Sequence, residues 1–253
     1  MAVVLVTGAA GALGSALVAH HVAAGATVVA ADRVAVDPLP TMPPTGPGQV
    51  VPVTGDLTDD DHLADLVDAV TSVGPGLDLL VHSAGITQRS PASTTDMAVF
   101  DAVMAVNWRA PVVLTRLARP QLVAAGGTVV VLGSMAGWMP VLGRSGYGAS
   151  KAAVSQFMEV WRHELIDDGV DLVMVYPSFL ESVMDDTSAD AGPRSEVGTP
   201  MPIPEIVARI TAAVDNGDRW VFPDRFARLS SLLYRVAPGT YHRLMRQRFS
   251  QEL

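Results

Sequence analysis

The sequence predicts an α/β fold, a Rossmann-like doubly wound parallel sheet of about seven strands with helices on both faces. Three observations carry this. Short apolar, β-branched runs alternate with longer helical patterns along most of the chain. A three-glycine turn follows the first run, and an acidic residue ends the second.

The elements follow in order. "VVLVTG" at 3–8 is a continuous apolar run, as expected of a strand buried on both faces, and a helical pattern near 12–24 comes next. "TVVAAD" at 27–32 is the second strand candidate. Five prolines in 37–48 mark an irregular loop before the third strand, "VVPVTGD" at 50–56. Helices near 59–73, 95–123 and 147–168 then alternate with "LDLLVHSAG" at 77–85, "GTVVVLGS" at 127–134 and "VDLVMVYP" at 170–177. Residues 178–203, rich in Ser, Asp, Gly and Pro, follow the C-terminal end of a strand. Ligands of open parallel sheets bind outside those ends, so this segment is a candidate lid. A helix near 204–216 and a short strand, "RWVFP" at 219–223, complete the pattern. The right-handed crossover rule makes a doubly wound sheet the simplest way to connect it.

Composition bounds the rest. With 253 residues, 49% hydrophobic and 17% charged, the chain can bury one large core. We expect a single domain over 1–224 and a helical extension over 225–253, packed on the same domain or on a partner subunit. No cysteine is present, which excludes disulfides and thiolate metal sites. A net charge of −9 argues against nucleic acid as a partner, since phosphate binding needs a basic face. The apolar N-terminus lacks the basic residues of a signal peptide, and no segment reaches eighteen uninterrupted apolar residues. The expectation is a cytoplasmic protein. No pair among the six histidines has the spacing and carboxylate company of a metal site, and no metal is expected.

Gly8, Gly11 and Gly14 stand where the first strand meets the first helix. Glycine lets the backbone turn tightly and approach a pyrophosphate at a helix N-terminus, and Gly14 allows close helix–sheet packing. The Gly8–Gly14 turn, with Gly11, Ala12 and Leu13 inside it, is thus a candidate dinucleotide cradle. Asp32 ends the second strand, where a carboxylate accepts hydrogen bonds from both adenosine ribose hydroxyls and repels a 2′-phosphate. Arg33 follows it and is suited to that phosphate. Like-charge apposition at Asp32 favours NAD over NADP.

Lys151 is the only lysine in the chain, four positions after Tyr147, so on a helix the two share one face. A phenol with an ordinary pKa of about 10 is a poor proton-transfer group at neutral pH. A nearby ammonium stabilises the phenolate and fits it to exchange a proton with an alcohol or ketone. The compact head of lysine can also donate to ribose hydroxyls, which the planar fork of arginine fits less well.

With these motifs in place the chain resembles the short-chain dehydrogenase/reductase superfamily, in its branch of roughly 250-residue, one-domain enzymes. "YGASK" matches the family's YxxxK pair, Ser134 in "LGSMAG" its catalytic serine, and Asn107 in "AVNWRA" its structural and proton-relay asparagine. Asp56 and Leu57 in "TGDLTD" resemble the pair that contacts adenine. "HSAG" at 82–85, containing Ser83, Ala84 and Gly85, replaces the family's NNAG. "PSFLES" at 177–182 resembles the segment that holds the nicotinamide carboxamide, which implies Pro177, Leu180 and Ser182 as cofactor contacts. The resemblance implies hydride transfer to or from a substrate carbon, with Ser134 holding the substrate oxygen and Tyr147 transferring the proton. It also implies that Lys151 binds the nicotinamide ribose, that Asn107 links the pair to solvent, and that the protein is a homo-oligomer, commonly a tetramer.

Met135 and Trp138 after the serine, and Phe179, Val183 and Met184 beyond the sixth strand, suggest an apolar substrate of steroid, terpenoid or acyl type, met also by Ser134 and Tyr147. The leading reading is an NAD-dependent oxidoreductase interconverting a secondary alcohol and a ketone. A non-catalytic NAD-binding sensor or scaffold of the same fold stays open, as does an epimerase or dehydratase using the same tyrosine.

From Arg219 to the end there are seven arginines against Asp224 and Glu252, a net +5, so residues 1–218 carry −14. Phe226, Leu229, Leu232, Leu233 and Val236 form one apolar helical stripe. Such a helix caps a pocket, packs on another subunit or lies on an anionic membrane; burial in protein is the favoured expectation.

Overall fold

The computed structural model describes residues 1–36, 47–178, 180, 200–223 and 225–249, with the backbone alone at 225–227 and 248–249. Its strands are β1 (Val3–Thr7), β2 (Thr27–Asp32), β3 (Gln49–Thr54), β4 (Leu79–His82), β5 (Thr128–Leu132), β6 (Asp171–Val175) and β7 (Trp220–Val221). They form one sheet in the order β3-β2-β1-β4-β5-β6-β7, and each neighbouring pair is parallel. The order reverses direction between β1 and β4, the switch point at which such sheets bind ligands.

Alternation along the strands builds two cores. Val3 and Leu5 of β1 point to one face, where they meet Leu63 and Leu66 of helix Asp60–Val73, together with Leu114, Met158 and Leu165. Val4 and Val6 point to the other, against Leu17, Val18, Ile206 and Ile210. The helices are α1 (Ala12–Ala23) and α6 (Ile203–Asn216) on the second face, and α2 (Asp60–Val73), α4 (Ala110–Ala125) and α5 (Ser145–Asp167) on the first. A shorter α3 (Met97–Met104) runs into α4 through one π-helical turn, Ala105–Arg109. The continuous helix 97–125 is long and apolar enough to cross a membrane by composition. Its buried residues Val103, Ala110, Leu114, Ala118 and Leu122 identify it as a covering helix of the sheet.

Strands β4, β5 and β6 end before the apolar runs that announce them. The runs extend to 85, 134 and 177, whereas pairing stops at His82, Leu132 and Val175. The residues past those ends leave the sheet and line the site described below.

Helices α7 (Arg225–Val236) and α8 (Pro238–Phe249) fold back on the first face. Leu233, Tyr234 and Met245 pack on the core, Tyr241 is buried, and its hydroxyl donates to Pro140 O at 2.7 Å. The expected apolar stripe is divided. Leu233 packs inward, while Leu229, Leu232 and Val236 face solvent, and the Phe226 side chain lies outside the described residues. Leu233 and Leu232 stand at the two edges of the stripe, about 100° apart around the helix, and the Leu233 edge is the one that meets the core. Among the described residues none of α7 lines the cavity of the site.

Candidate active site

Gly8 has a φ of +71°, a conformation that glycine adopts without strain, and a Cβ there would stand 2.7 Å from the Ala84 backbone. A Cβ on Gly14 would fall 2.0 Å from Gly8 O. The turn is therefore compact, with Gly11 as the residue before α1, whose first two residues are Ala12 and Leu13. Asp32 is held from both sides: its Oδ2 accepts from Ala10 N at 2.9 Å and its Oδ1 from Val34 N at 3.2 Å.

A cavity of about 1010 Å³ begins at this turn. Gly8, the 11–14 segment, Asp32, Arg33, Asp56 and Leu57 line one end. Ser83, Ala84 and Gly85, past β4, line its middle, with Pro177 and Leu180, past β6. Ser134, Met135, Tyr147 and Lys151 line the far end. Asp56 Oδ1 accepts from both Thr58 N and Thr58 Oγ1 at 2.8 Å, which holds its carboxyl below the ordinary range, and Arg33 adds to this.

The far end brings three predicted side chains together. Tyr147 lies in the first turns of α5 and is 6% exposed, Lys151 follows one turn on at 3%, and the Ser134 hydroxyl hydrogen-bonds the phenol. Ser134 Oγ also accepts from Ala136 N at 3.1 Å, which orients it. Lys151 Nζ donates to Leu132 O at 2.7 Å and stands 6.0 Å from the Tyr147 ring centroid. Burial pushes Lys151 down to about 8. The tyrosine departs from the expectation: burial raises its pKa above the ordinary value, and what pulls it back is the Ser134 hydrogen bond and the Arg144 charge. Desolvation disfavours phenolate more than these two neighbours favour it.

Asn107 sits in the π-helical turn, 1% exposed. Its Nδ2 donates to Ile86 O at 2.9 Å and Ser150 Oγ at 3.0 Å, and its Oδ1 accepts from Ile86 N at 2.9 Å. The amide therefore fastens the segment after β4 to α5. At the end of β4, His82 Nε2 lies 2.8 Å from Thr115 Oγ1, which ties the strand to α4.

Not every predicted contact is gathered here. Trp138 does not line the cavity; it packs edge-on to Tyr176 and Phe222 at 5.2 and 5.3 Å, with the Arg235 guanidinium 4.6 Å from its ring. Its place in the aromatic cluster follows from the short 3₁₀ turn Met135–Gly137, after which the chain turns toward α7. Phe179, Ser182, Val183 and Met184 lie outside the described residues, as does most of the candidate lid. Reasoning from the sequence missed Ile86, Asp101 and Arg144, which line the cavity, Arg144 beside the Tyr147 ring. For Arg144 the signal was its position, three residues before the tyrosine at the mouth of α5.

A glycine cradle at the switch point of a doubly wound sheet, opening on a buried tyrosine, lysine and serine, defines a dinucleotide-binding oxidoreductase site. The particular family is the short chain dehydrogenases: the family profile matches residues 2–192, and the chain belongs to it. It is 29% identical over 269 residues to a dehydrogenase/reductase SDR family protein 7-like of Anopheles gambiae, covering 97% of this chain and 82% of that protein. It is 34% identical over 184 residues to 11-beta-hydroxysteroid dehydrogenase A of Sesamum indicum, covering 71% of this chain and 53% of that protein. It is 31% identical over 185 residues to the 3-oxoacyl-[acyl-carrier-protein] reductase FabG of Thermotoga maritima, covering 72% and 75%. A short chain dehydrogenase from Burkholderia cenocepacia, solved in complex with NADP, superposes with a TM-score of 0.82 at 25% identity over 96% of this chain and 97% of that one. The protein is thus an oxidoreductase that uses a nicotinamide cofactor.

Proposed function

We propose that the protein is an NAD-preferring dehydrogenase/reductase that interconverts a secondary alcohol and a ketone on an apolar substrate. The observation that carries this is the meeting of Ser134, Tyr147 and Lys151 at one end of the cavity whose other end is the glycine turn and Asp32.

The residues fit a dinucleotide. The close approaches at Gly8 and Gly14 leave the backbone of the turn bare of side chains, and Asp32 supplies a fixed carboxylate where a ribose would lie. That carboxylate supports NAD; the Burkholderia protein was solved with NADP, so the preference rests on charge repulsion at Asp32. When bound, the nicotinamide supplies or accepts the hydride. Ser134 donates to the substrate oxygen where negative charge develops. Tyr147 gives its phenolic proton to that oxygen in ketone reduction and takes it back in alcohol oxidation. Lys151 presents ammonium donors to the cofactor side of the phenol, and Asn107 holds α5 and the segment after β4 in register.

Ile86, Met135, Met139 and Val141 line the cavity near the phenol, which supports a water-excluding, apolar subsite. The names of the Sesamum and Thermotoga relatives, a hydroxysteroid dehydrogenase and a 3-oxoacyl reductase, support the same substrate class. A homo-oligomer is the further reading, supported by Phe157 and Val160, which α5 exposes one turn apart on the same side. A non-catalytic sensor would retain the glycine turn and Asp32 with no chemical need for the Ser134–Tyr147–Lys151 group.

The test is oxidation of NADH and NADPH across a panel of apolar ketones, with Tyr147→Phe in parallel. Turnover that is faster with NADH and lost in the variant supports the proposal. Cofactor binding without turnover on any ketone or alcohol overturns it in favour of a sensor.

A further inference from the structure

Arg144 is the charged side chain of the far end that the mechanism above does not use. It lines the cavity, and its guanidinium carbon stands 5.5 Å from the Tyr147 ring centroid. Its place is built. Arg144 Nη1 donates to Thr87 Oγ1 at 2.8 Å. The residues on either side are clamped by one fully buried amide: Gln88 Nε2 donates to Gly143 O at 3.2 Å, and Gln88 Oε1 accepts from Gly146 N at 3.0 Å. Ser90 N donates to the same Gly143 carbonyl at 3.0 Å. The 86–90 segment, the approach to α5 and Arg144 are thereby one hydrogen-bonded unit.

Lys151 is differently disposed. Its ammonium is engaged by Leu132 O and lies 6.0 Å from the ring centroid. We propose that Arg144 is a positioning residue for Tyr147: its guanidinium, pinned on Thr87 within a loop locked by Gln88, holds a second positive charge beside the phenol that, together with the Lys151 ammonium, favours the phenolate formed as the proton is exchanged. This rests on the proposed catalytic role of Tyr147. Burial works against phenolate, and the Arg144 charge works for it. Among the described residues, the other titratable groups of this region are Lys151 on α5, Asp101 of α3 on the cavity wall, and His82 at the end of β4, which burial keeps neutral. Arg33, Asp32 and Asp56 line the opposite end.

The experiment compares wild type, Arg144→Met and Arg144→Lys, each labelled with 3-fluorotyrosine and followed by fluorine NMR as the pH is raised with NAD present. Tyr147→Phe identifies the Tyr147 resonance among the four tyrosines. The fluorinated phenol is more acidic than tyrosine, which brings its titration toward the range in which the protein is folded. We expect the Tyr147 resonance in Arg144→Met to titrate about one pH unit or more above wild type, and Arg144→Lys to restore most of the shift. The rising limb of kcat/KM for alcohol oxidation should move the same way. An unchanged titration in Arg144→Met overturns the proposal, as does an equal displacement in both variants, which would mark loss of fit and not of charge. The resonance reports on the phenol without turnover. Failure of the dehydrogenase reading, seen as no turnover on the ketone panel, is therefore distinguishable from failure of this inference.

Discussion

Lys151, the only lysine of the chain, donates its ammonium to the carbonyl of Leu132 at 2.7 Å, joining the helix that carries Tyr147 to the end of the fifth strand. The lysine is 3% exposed, so its charge is held in a poorly solvated place by one backbone acceptor. Its low pKa of about 8 is the cost of that position, and it makes Lys151 the point where the demands of the site oppose those of the fold.

That opposition is measurable. Lys151→Met should lose turnover yet raise stability at pH 7. A buried lysine whose pKa falls from 10.5 to about 8 costs on the order of 3 kcal/mol while it is charged. The sign follows from proton counting. Between pH 8 and 10.5 the unfolded chain keeps a proton that the native one has released, so wild-type stability rises with pH across that window. The advantage of the variant is therefore full below pH 8 and gone above 10.5, as thermal unfolding across pH would show.

His82 gives a dependence of the same sign in a lower window. Burial and the Lys151 charge push it from 6.5 down to about 3. Below pH 6.5 the unfolded chain binds a proton that the native one refuses, so stability falls as pH falls through that window. His82→Asn should flatten the plot of Tm against pH between 6.5 and 3. At pH 5 the effect should be about 2 kcal/mol.

Tyr147→Phe removes the hydroxyl beside Ser134 and leaves the cofactor end of the cavity intact. Turnover should fall by about 10³-fold or more, with NAD affinity within a few-fold of wild type. Single-turnover kinetics and fluorescence titration with NADH would show both.

Asp32→Ala removes the carboxylate held by Ala10 N and Val34 N. NADP should gain on NAD by about tenfold in kcat/KM, since the repulsion of a 2′-phosphate is lost. Arg33, beside it, then meets that phosphate without opposition from Asp32.

Val160 is 61% exposed on α5, one turn from Phe157. If copies associate through this face, Val160→Asp should lower the mass seen in sedimentation equilibrium without changing the monomer's helix content.

The alternation of strands and helices, the glycine turn, Asp32 and the Tyr147–Lys151 pair were legible without coordinates. Each is a local pattern: apolar runs report burial on both faces, glycines report backbone crowding, and a four-residue spacing on a helix places side chains together. Strand ends were read too long at 85, 134 and 177 because an apolar run continues past the last paired residue. Whether Ser83 or Ser134 stays in the sheet depends on neighbouring strands, which periodicity does not report.

The sequence by itself therefore determined the fold class, the glycine turn and which side chains are candidates for the proposed reaction. Only the tertiary structure decided their environment. It placed Trp138 against Tyr176 and Phe222 and away from the cavity, divided the stripe of α7 between core and solvent, and brought Thr87, Gln88 and Arg144 around the approach to Tyr147. It also reversed the expected direction of the tyrosine pKa, because desolvation depends on every atom packed around a group, whereas spacing along a helix reports one neighbour at a time.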